Sequence, residues 1–171
     1  MLWRLPRWQF EQQKGAGNRA AMQGLVADGV EPGILAFDGE RAVGWCALAP
    51  RADYPALQRS RVMRSIDDQP VWSVACLFID RAYRGQGVAT ELLRAAAGFA
   101  RSRGARILEG YPVDPRGRKL AAAFAWTGVP TAFERAGFEE VARGSPTRPI
   151  MRSYLNPGTR PQTGGKSCTP G

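Results

Sequence analysis

Six consecutive residues carry the clearest chemical signal in this sequence, and they read Arg84-Gly85-Gln86-Gly87-Val88-Ala89. They follow an apolar run and open a segment with helical spacing. Unpaired backbone N–H groups at the start of a helix, together with the positive end of the helix dipole, bind phosphate groups. The glycines allow the backbone to approach a ligand closely, and an arginine can donate two hydrogen bonds to one phosphate. The residues from Arg84 to Thr90 therefore predict a pyrophosphate-binding turn.

A buried strand and an amphipathic helix flank this turn. Residues 71–79 form a continuous apolar run, which is typical of a strand buried on both faces and central in its sheet. From Val88 to Ala100, apolar residues recur every three or four positions, and Gly104 ends the pattern. Residues 106–111 then have the pattern of a second strand. Together they form a βαβ crossover, which predicts parallel pairing of the two strands.

Antiparallel strands are expected on both sides of this crossover. Residues 33–49 contain two apolar runs about Asp38-Gly39, which is a strong hairpin signal. Closing strands are expected at 139–143 and 149–155, and helices at 18–28 and 130–135. The predicted fold class is therefore α/β with a mixed sheet, in the α+β sense. The hairpin argues against an all-parallel dinucleotide-binding fold.

The composition narrows the classes of function. At 171 residues, the chain is long enough for one domain with a substantial core. It contains no histidine, which excludes Ser-His-Asp chemistry and histidine zinc sites, and no metal is expected. Cys46, Cys76 and Cys168 are widely spaced, so we expect reduced, structural thiols. No apolar run approaches the roughly 20 residues that span a bilayer, and the N-terminus lacks the pattern of a secretory signal, so a cytoplasmic location is expected.

The net charge of +9 raises the alternative of a nucleic-acid-binding protein. The basic residues are mostly arginines, and they are scattered along the chain without a dense run or interleaved aromatic residues. This distribution makes nucleic-acid binding the weaker alternative. A positive cleft would serve a polyanionic small molecule equally well.

The turn and its surroundings resemble the GNAT superfamily of acyl-CoA N-acyltransferases. The superfamily signature R/Q-x-x-G-x-G/A is matched by Arg84, Gly87 and Ala89. Residues 78–93 are similar to the strand, loop and helix of the family, and Phe133-Glu-Arg-Ala-Gly-Phe is similar to its late motif that ends in Gly-Phe. The resemblance extends from about residue 34 to residue 155.

This resemblance implies a V-shaped mixed sheet in one domain over residues 1–155. Backbone groups of Leu77, Phe78 and Ile79 would bind the pantetheine arm of acetyl-CoA and polarise its thioester carbonyl. The implied reaction is direct transfer of an acetyl group, not an amino-acyl group, to a primary amine in a ternary complex. The acceptor could be a small molecule or a peptide, and a homodimer is left open because dimers are common in the superfamily.

The two ends of the chain depart from this pattern. Only the segment from Leu2 to Leu5 could supply the first strand of the family, and an irregular start is the alternative. Residues 156–171 lack periodicity and are rich in Pro, Gly, Ser and Thr, so we expect a disordered tail.

Acetyl transfer requires a neutral amine, whereas a lysine-like amine with a pKa near ~10.4 is protonated at pH 7. Glu109 lies on the strand beside the expected cleft and is the first candidate for a general base. Tyr111 could orient water or the acceptor, and Asp80, at the end of the central strand, is a further candidate. For all three, a structural role is the alternative.

Protonation of the departing CoA thiolate is where this sequence departs from the family. Many members use a tyrosine four residues before the late glycine, and Phe133 occupies that position here. The general acid that protonates the thiolate is therefore not assigned. Thr131, Tyr111, Tyr154 or solvent could donate the proton, or catalysis could depend mainly on the positioning of the two reactants. Phe133 also keeps open a catalytically silent acyl-CoA-binding regulator.

The charged segment between Pro50 and Pro70 is expected to help form the acceptor site, because binding specificity is often built on loops beside a rigid scaffold. Its Arg51, Tyr54 and Arg61 could bind an acidic or carboxylate-bearing acceptor. The alternative is a solvated, charged loop without a binding role.

Overall fold

The structure is a computed structural model that describes residues 1–117 and 126–156. Its strands are β1 (Gly33–Asp38), β2 (Arg41–Pro50), β3 (Trp72–Ile79), β4 (Ile107–Gly110), β5 (Glu139–Ser145) and β6 (Arg148–Tyr154). Its helices are α1 (Arg7–Gln12), α2 (Ala16–Ala27), α3 (Pro55–Gln58), α4 (Val88–Ser102) and α5 (Pro130–Arg135). The predicted tail falls outside the described residues, apart from Asn156.

The six strands form one mixed sheet in the order β1-β2-β3-β4-β6-β5. The predicted hairpin joins β1 and β2, which pair in antiparallel fashion, and Gly39 in its turn has a φ of 55°. The strand β3 is central, antiparallel to β2 and parallel to β4. The predicted fold class and the parallel crossover are therefore confirmed.

The parallel ladder between β3 and β4 is short. It runs from the pair Trp72–Leu108 to the pair Val74–Gly110 and includes only three pairs. Beyond it, the backbone N–H of Leu77 donates to the carbonyl of Trp126 at 2.7 Å instead of to a residue of β4. The two strands thus separate along their length, and the second half of β3 borders an opening in the sheet.

The helix α4 packs on one face of the sheet through an apolar stripe. Leu92, Leu93, Ala96 and Ala100 are at most 3% exposed and belong to the main hydrophobic core. This stripe has the spacing of three and four residues that buries one helix face. Gly44 of β2 allows the close approach, because a Cβ there would lie 2.8 Å from Leu92 Cδ1. The packing holds the start of α4 in a fixed position at the end of β3.

The opposite face of the sheet is covered by the segment between Pro50 and Pro70. Tyr54, Leu57 and Met63 of this segment pack with Ala75 and Tyr111 in a second hydrophobic cluster. Leu57 in α3 is fully buried, and Tyr54 is 2% exposed. The segment is therefore part of the core and not a solvated loop along its whole length.

The chain begins irregularly and not with a strand. Residues 1–5 form a turn in which the N–H groups of Arg4 and Leu5 donate to the Met1 carbonyl, at 2.9 and 3.1 Å. The following Pro6 caps α1. Instead of pairing through its backbone, the segment is anchored by its side chains, since Trp3 Nε1 donates to the Ala75 carbonyl at 2.9 Å. The register between β2 and β3 shifts beside Ala75, so the indole bonds a carbonyl at a β-bulge.

Candidate functional site

The turn after β3 has the geometry that anion binding requires. Gly85 and Gly87 have φ values of 76° and 85°, a left-handed region that costs a residue with a Cβ about 1–2 kcal/mol. Gly87 is the N-cap of α4, and no side chain caps this end of the helix. The N–H groups of Val88 and Ala89, in the first turn of a 15-residue helix, therefore have no intrahelical acceptor. These donors, with the positive end of the helix dipole, fit a pyrophosphate.

A cavity of about 400 Å³ extends from this turn along β3. We call it the cofactor cleft. It is lined by the predicted residues Leu77, Phe78, Ile79, Arg84, Gly85, Gly87, Val88, Ala89 and Thr90. Of the residues predicted to hold the cofactor, only Gln86 is absent from the lining; its side chain donates to the Ala82 carbonyl at 2.8 Å.

Most of the other wall of the cofactor cleft was not predicted from the sequence; the exception is Thr131, a candidate proton donor for the leaving thiolate. This wall is formed by Tyr83, Trp126, Gly128, Val129, Thr131, Ala132 and Arg135. Most of these residues come from α5 or from the segment just before it, which has no motif that would mark it as ligand-binding. Arg135 adds a second arginine to the lining of the cofactor cleft. The Arg84 Nε donates to the Ile79 carbonyl at 3.0 Å, which ties this side chain to the end of β3.

One backbone donor of the cofactor cleft is already engaged. The Leu77 N–H was expected to polarise a thioester carbonyl, and it donates to the Trp126 carbonyl at 2.7 Å. Trp126 lies opposite the free edge of β3, where β4 has diverged. In this arrangement a carbonyl oxygen of the chain itself occupies the place expected for a substrate carbonyl.

Glu109 and Tyr111 lie in a buried network and not in the cofactor cleft. Glu109 is fully buried; its Oε1 accepts from Tyr111 Oη at 2.5 Å, and its Oε2 accepts from Arg152 Nε at 2.7 Å. Tyr111 is 1% exposed and also lies 2.9 Å from Ser73 Oγ. Burial, and then the charge of Glu109, raises the pKa of the Tyr111 phenol. Both groups therefore serve the core contacts that hold β3, β4 and β6 together.

Arginines complete this network from two directions. Arg51 is 9% exposed; its guanidinium donates to Tyr111 Oη and lies 3.4 Å from Glu109 Oε1. Arg152 is 2% exposed and also forms a bidentate pair with Asp67, with distances of 2.6 and 3.0 Å. The network thus contains two buried arginines for one buried acid, and Asp67 at its edge supplies a second negative charge. The guanidinium of Arg51, predicted to bind an acceptor, is directed inward.

Asp80 has a local structural role in the loop after β3. Its Oδ1 accepts from the Ala82 N–H at 3.0 Å and its Oδ2 pairs with Arg41 at 2.7 Å. The backbone hydrogen bond first, with Arg41 contributing, lowers the pKa of this carboxyl. Asp80 thus caps the short turn that leads to Arg84. It does not line the cofactor cleft.

Phe133 fills the space behind the cofactor cleft. It is fully buried, and it packs edge to face on Phe138 with a centroid distance of 5.1 Å. Two glycines make room for it: a Cβ on Gly128 would lie 2.8 Å from its ring, and a Cβ on Gly110 would lie closer still. The position at which the family often carries a tyrosine is therefore part of the core in this chain.

The other two residues predicted to bind the acceptor, Tyr54 and Arg61, lie in different places. Tyr54 lines a second cavity, on the other side of β3, whereas Arg61 is exposed and lines neither cavity. Cys46 is fully buried and Cys76 is partly buried; both are free thiols, and burial raises the pKa of each.

Within residues 1–117 and 126–156, no group of three or more Cys, Asp or Glu could hold a metal ion. No helix in the same part of the chain is long and apolar enough to cross a membrane.

Comparison with known proteins agrees with this geometry. The model of the acetyltransferase (GNAT) family matches residues 1–125 of the chain. The chain belongs to the GNAT acetyltransferase family. Membership implies an acyltransferase that uses acetyl-CoA. No curated protein sequence matches the chain.

Solved structures share the fold of this GNAT protein. The acetyltransferase of the GNAT family from Streptococcus pneumoniae has a TM-score of 0.53 and 15% identity, over 84% of this chain and 78% of that one. A protein assigned to the same family from Desulfovibrio desulfuricans has a TM-score of 0.51 and 17% identity, over 82% and 77%. The protein yncA from Salmonella typhimurium is assigned as an acetyltransferase and was solved with its cofactor acetyl-CoA. It has a TM-score of 0.50 and 16% identity, over 85% of this chain and 77% of that one. At these identities, the likeness concerns the fold alone.

Proposed function

We propose that this GNAT protein is an N-acetyltransferase that moves the acetyl group of acetyl-CoA directly to a primary amine in a ternary complex. The observation that carries the proposal is the continuity of the cofactor cleft. It leads from the uncapped start of α4 to the free edge of β3, so that phosphate donors and a strand edge line one cavity. Its volume of about 400 Å³ lies within the range of small-molecule pockets, roughly 300–1,000 Å³.

Each part of the cofactor cleft has a role in this proposal. The N–H groups of residues 85–89 and the Arg84 guanidinium hold the pyrophosphate, and the backbone of residues 77–79 holds the pantetheine arm. Bound acetyl-CoA supplies an activated thioester, whose C–S bond breaks as the new N–C bond forms, while the proton lost by nitrogen passes to sulfur or to water. The protein contributes mainly by alignment of the two reactants, an effect that can lower a barrier by about 7–11 kcal/mol.

We infer that the Trp126 carbonyl leaves the Leu77 N–H when acetyl-CoA binds. This N–H lies beyond the last pair of β3 with β4, Val74–Gly110, and it can polarise a thioester carbonyl only when it is free. The exchange replaces one hydrogen bond by another, so its net cost is small. Trp126 lines the cofactor cleft, and its indole fluorescence should therefore report the binding of acetyl-CoA.

Proton transfer relies on few groups of the chain. No carboxylate is among the described residues that line the cofactor cleft or the second cavity. Glu109, Tyr111 and Asp80 stay predictions as proton carriers, and their contacts favour structural roles. We propose that the acceptor amine loses its proton to water as it enters a site without a carboxylate to stabilise the ammonium form.

Calorimetry with acetyl-CoA tests the cofactor half of this proposal. The wild-type protein should bind acetyl-CoA, and Gly87→Glu should abolish binding because it adds a side chain and a negative charge where phosphate donors converge. A thiol-release assay across amino acids, polyamines, aminoglycosides, arylamines and peptide N-termini tests the acceptor half. Absence of binding in the wild type, or unchanged binding in Gly87→Glu, would refute the proposal.

A catalytically silent acyl-CoA-binding regulator is the second candidate. It is favoured by the burial of Phe133, which offers no hydroxyl for the leaving thiolate, and by the engagement of the Leu77 N–H. Such a protein would bind acetyl-CoA in calorimetry and release no thiol with any acceptor. Thiol release that depends on both the enzyme and an amine excludes this candidate.

A further inference from the structure

A second cavity, of about 240 Å³, lies on the other side of β3 from the cofactor cleft. We call it the aromatic pocket. Its walls include Trp3, Trp45 and Trp126, and its lining is mainly apolar. The volume is below the roughly 300–1,000 Å³ of pockets for drug-sized ligands, so it suits a molecule with one small ring. Trp3 and Trp126 stand 5.7 Å apart at an angle of 32°, a separation at which aromatic rings attract one another.

Two buried donors that line this pocket make no hydrogen bond of normal geometry among the described residues. Tyr54 is 2% exposed, and its hydroxyl makes no hydrogen bond within the described residues. The Nη2 of Arg4, whose side chain is 12% exposed, is also buried without a partner in that part of the chain. Buried polar groups are rarely left unsatisfied in folded proteins, and an exception calls for a partner. The two donors contact each other, because the Arg4 Cζ lies over the Tyr54 ring at 4.9 Å from its centre, and Arg4 partly opposes the rise that burial causes in the pKa of the Tyr54 phenol.

The shared chemistry of these donors identifies the missing partner as an anion. Arg4 is permanently charged, and its nearest acid, Asp53, is 3.9 Å away from the other guanidinium nitrogen, Nη1. Burial raises the pKa of the Tyr54 phenol, so the hydroxyl stays a donor at neutral pH. A guanidinium and a neighbouring phenol hydroxyl can both donate to one carboxylate.

We propose that the aromatic pocket binds the acetyl acceptor, and that this acceptor is a free aromatic amino acid or a similar small aromatic aminocarboxylate. Its carboxylate accepts hydrogen bonds from Arg4 and Tyr54, and its ring packs among the three indoles. The inference rests on the proposed acetyltransferase function and adds the class of the acceptor. It replaces two parts of the sequence prediction, because Arg4 takes the role expected of Arg51 and Arg61.

The position of the pocket relative to the cofactor cleft permits transfer. Along β3, Ala75 and Cys76 line the aromatic pocket, and Leu77 lines the cofactor cleft. Trp126 lines both cavities, at the opening where β3 and β4 diverge. An amine held in the pocket therefore faces the thioester end of the cleft across a gap bordered by Trp126. Departure of the Trp126 carbonyl from Leu77 would open this gap.

The pocket also favours the reactive form of the amine. No residue of its lining carries a carboxylate, so a buried ammonium group would lack a counter-ion among them. Burial destabilises the ammonium form relative to the neutral amine. Desolvation in the pocket thus assists deprotonation of the amine.

Three matched ligands test the proposal on the full chain. L-Phenylalanine carries both ring and carboxylate, L-phenylalaninamide has the ring without the carboxylate, and L-alanine has the carboxylate without the ring. Calorimetry with the protein saturated in CoA measures binding, and thiol release with acetyl-CoA measures transfer. We expect L-phenylalanine to exceed both of the other ligands at least tenfold in affinity and in kcat/KM.

Two variants assign the carboxylate contact. Tyr54→Phe removes only the unpartnered hydroxyl, and Arg4→Met removes the charge while keeping most of the apolar stem. Each should lower kcat/KM for L-phenylalanine by about tenfold or more, since hydrogen bonds to charged groups are the strong ones. Tyr54→Phe should lower the activity with L-phenylalaninamide far less than the activity with L-phenylalanine, and neither variant should change the affinity for acetyl-CoA, because neither residue lines the cofactor cleft. The control Arg7→Met, at an 87% exposed side chain three residues further on, should change none of these values.

The outcomes separate this inference from the proposed function. Absence of acetyl-CoA binding overturns the acetyltransferase itself. Acetyl-CoA binding combined with a preference for L-phenylalaninamide, polyamines or peptides over L-phenylalanine overturns only the aromatic aminocarboxylate. Equal losses for L-phenylalanine and its amide in Tyr54→Phe also overturn it, because they would show a packing effect and not a carboxylate contact.

Discussion

The charged groups at the two ends of β3 differ in their burial and in their hydrogen bonding. Beside its first residues, Glu109, Arg51 and Arg152 are buried and bonded to one another or to neighbouring groups. Beyond its last residues, Arg84 is exposed and the first N–H groups of α4 have no intrahelical acceptor. A buried charge whose donors and acceptors are all used stabilises the fold, whereas donors left open beside a cavity are available to a ligand. The difference between the two ends therefore locates the ligand-binding end of the sheet.

The largest expected effect is loss of stability at the buried end. Glu109→Gln removes the one buried acid that faces two arginines, and breaking a buried ion pair from one side costs about 3–5 kcal/mol. Urea unfolding should show this loss as a lower midpoint. The same change at an exposed pair, Glu11→Gln, should leave the midpoint close to that of the wild type.

This variant also decides between the two roles of Glu109. In protein that is still folded, we expect acetyl-CoA affinity and turnover to fall less than a few-fold. Wild-type stability combined with a large loss of turnover would make Glu109 a catalytic base and would contradict a purely structural role for the buried end of β3.

The elements of the fold could be predicted because each has a local pattern. The glycine turn, the apolar β3 and the stripe of α4 are all readable within short windows, and each was found within a few residues of its predicted place. The contacts of Glu109 could not be read in this way. Its partner Arg152 is distant in sequence and adjacent only through the antiparallel pairing of β4 with β6. An acid on a strand has the same sequence signal whether it faces a cleft or a buried arginine.

The same limit explains what was missed in the site. Arg4 and Trp126 have no motif, and their places depend on a turn anchored at the Ala75 carbonyl and on the divergence of β3 and β4. Tyr54 was predicted for its chemistry, and Arg51 and Arg61 were predicted with it for theirs. Only three-dimensional packing shows that the Tyr54 hydroxyl is buried without a normal hydrogen bond, that the Arg51 guanidinium is bonded in the core and that Arg61 is exposed.

Alanine at the two ends of α4 gives a smaller, matched test. Gly87 at its start and Gly104 after its end have φ values of 85° and 82°, and a Cβ at either would meet no atom within 4 Å. Gly87→Ala and Gly104→Ala should therefore lose similar stability, about 1–2 kcal/mol each. Only Gly87→Ala should weaken acetyl-CoA binding, by about tenfold in calorimetry. Equal weakening by both would assign the effect to strain in the helix and not to phosphate contact.

A weaker effect is expected for the charge beside the turn. Arg84→Met removes a guanidinium that lines the cofactor cleft, whereas Arg81→Met removes an exposed one that does not. We expect Arg84→Met to weaken acetyl-CoA binding by roughly three- to tenfold at low salt, with a smaller difference at high salt because exposed charges are screened. Arg81→Met should have little effect at either salt concentration. Equal losses of acetyl-CoA affinity in the two variants would show that Arg84 acts only through long-range attraction of the anionic ligand and not through a contact.

The smallest effect concerns Asp67, which lies at the edge of the buried network. Its hydrogen bonds from Arg152 lower the pKa of the carboxyl in the folded protein. A lowered pKa means that Asp67 contributes stability above its unfolded pKa, near ~3.9, and that this contribution is lost as the pH falls through the folded value. The difference in urea midpoint between wild type and Asp67→Asn should therefore be constant from pH 7 to pH 5 and shrink below pH 4. The neighbouring Asp68→Asn, at an exposed side chain without an ion pair among the described residues, should leave the urea midpoint at pH 7 close to that of the wild type. A difference in urea midpoint for Asp67→Asn that grows on acidification would contradict the contact of Asp67 with Arg152. It would also contradict the description of the buried network as one in which each charged group has a partner.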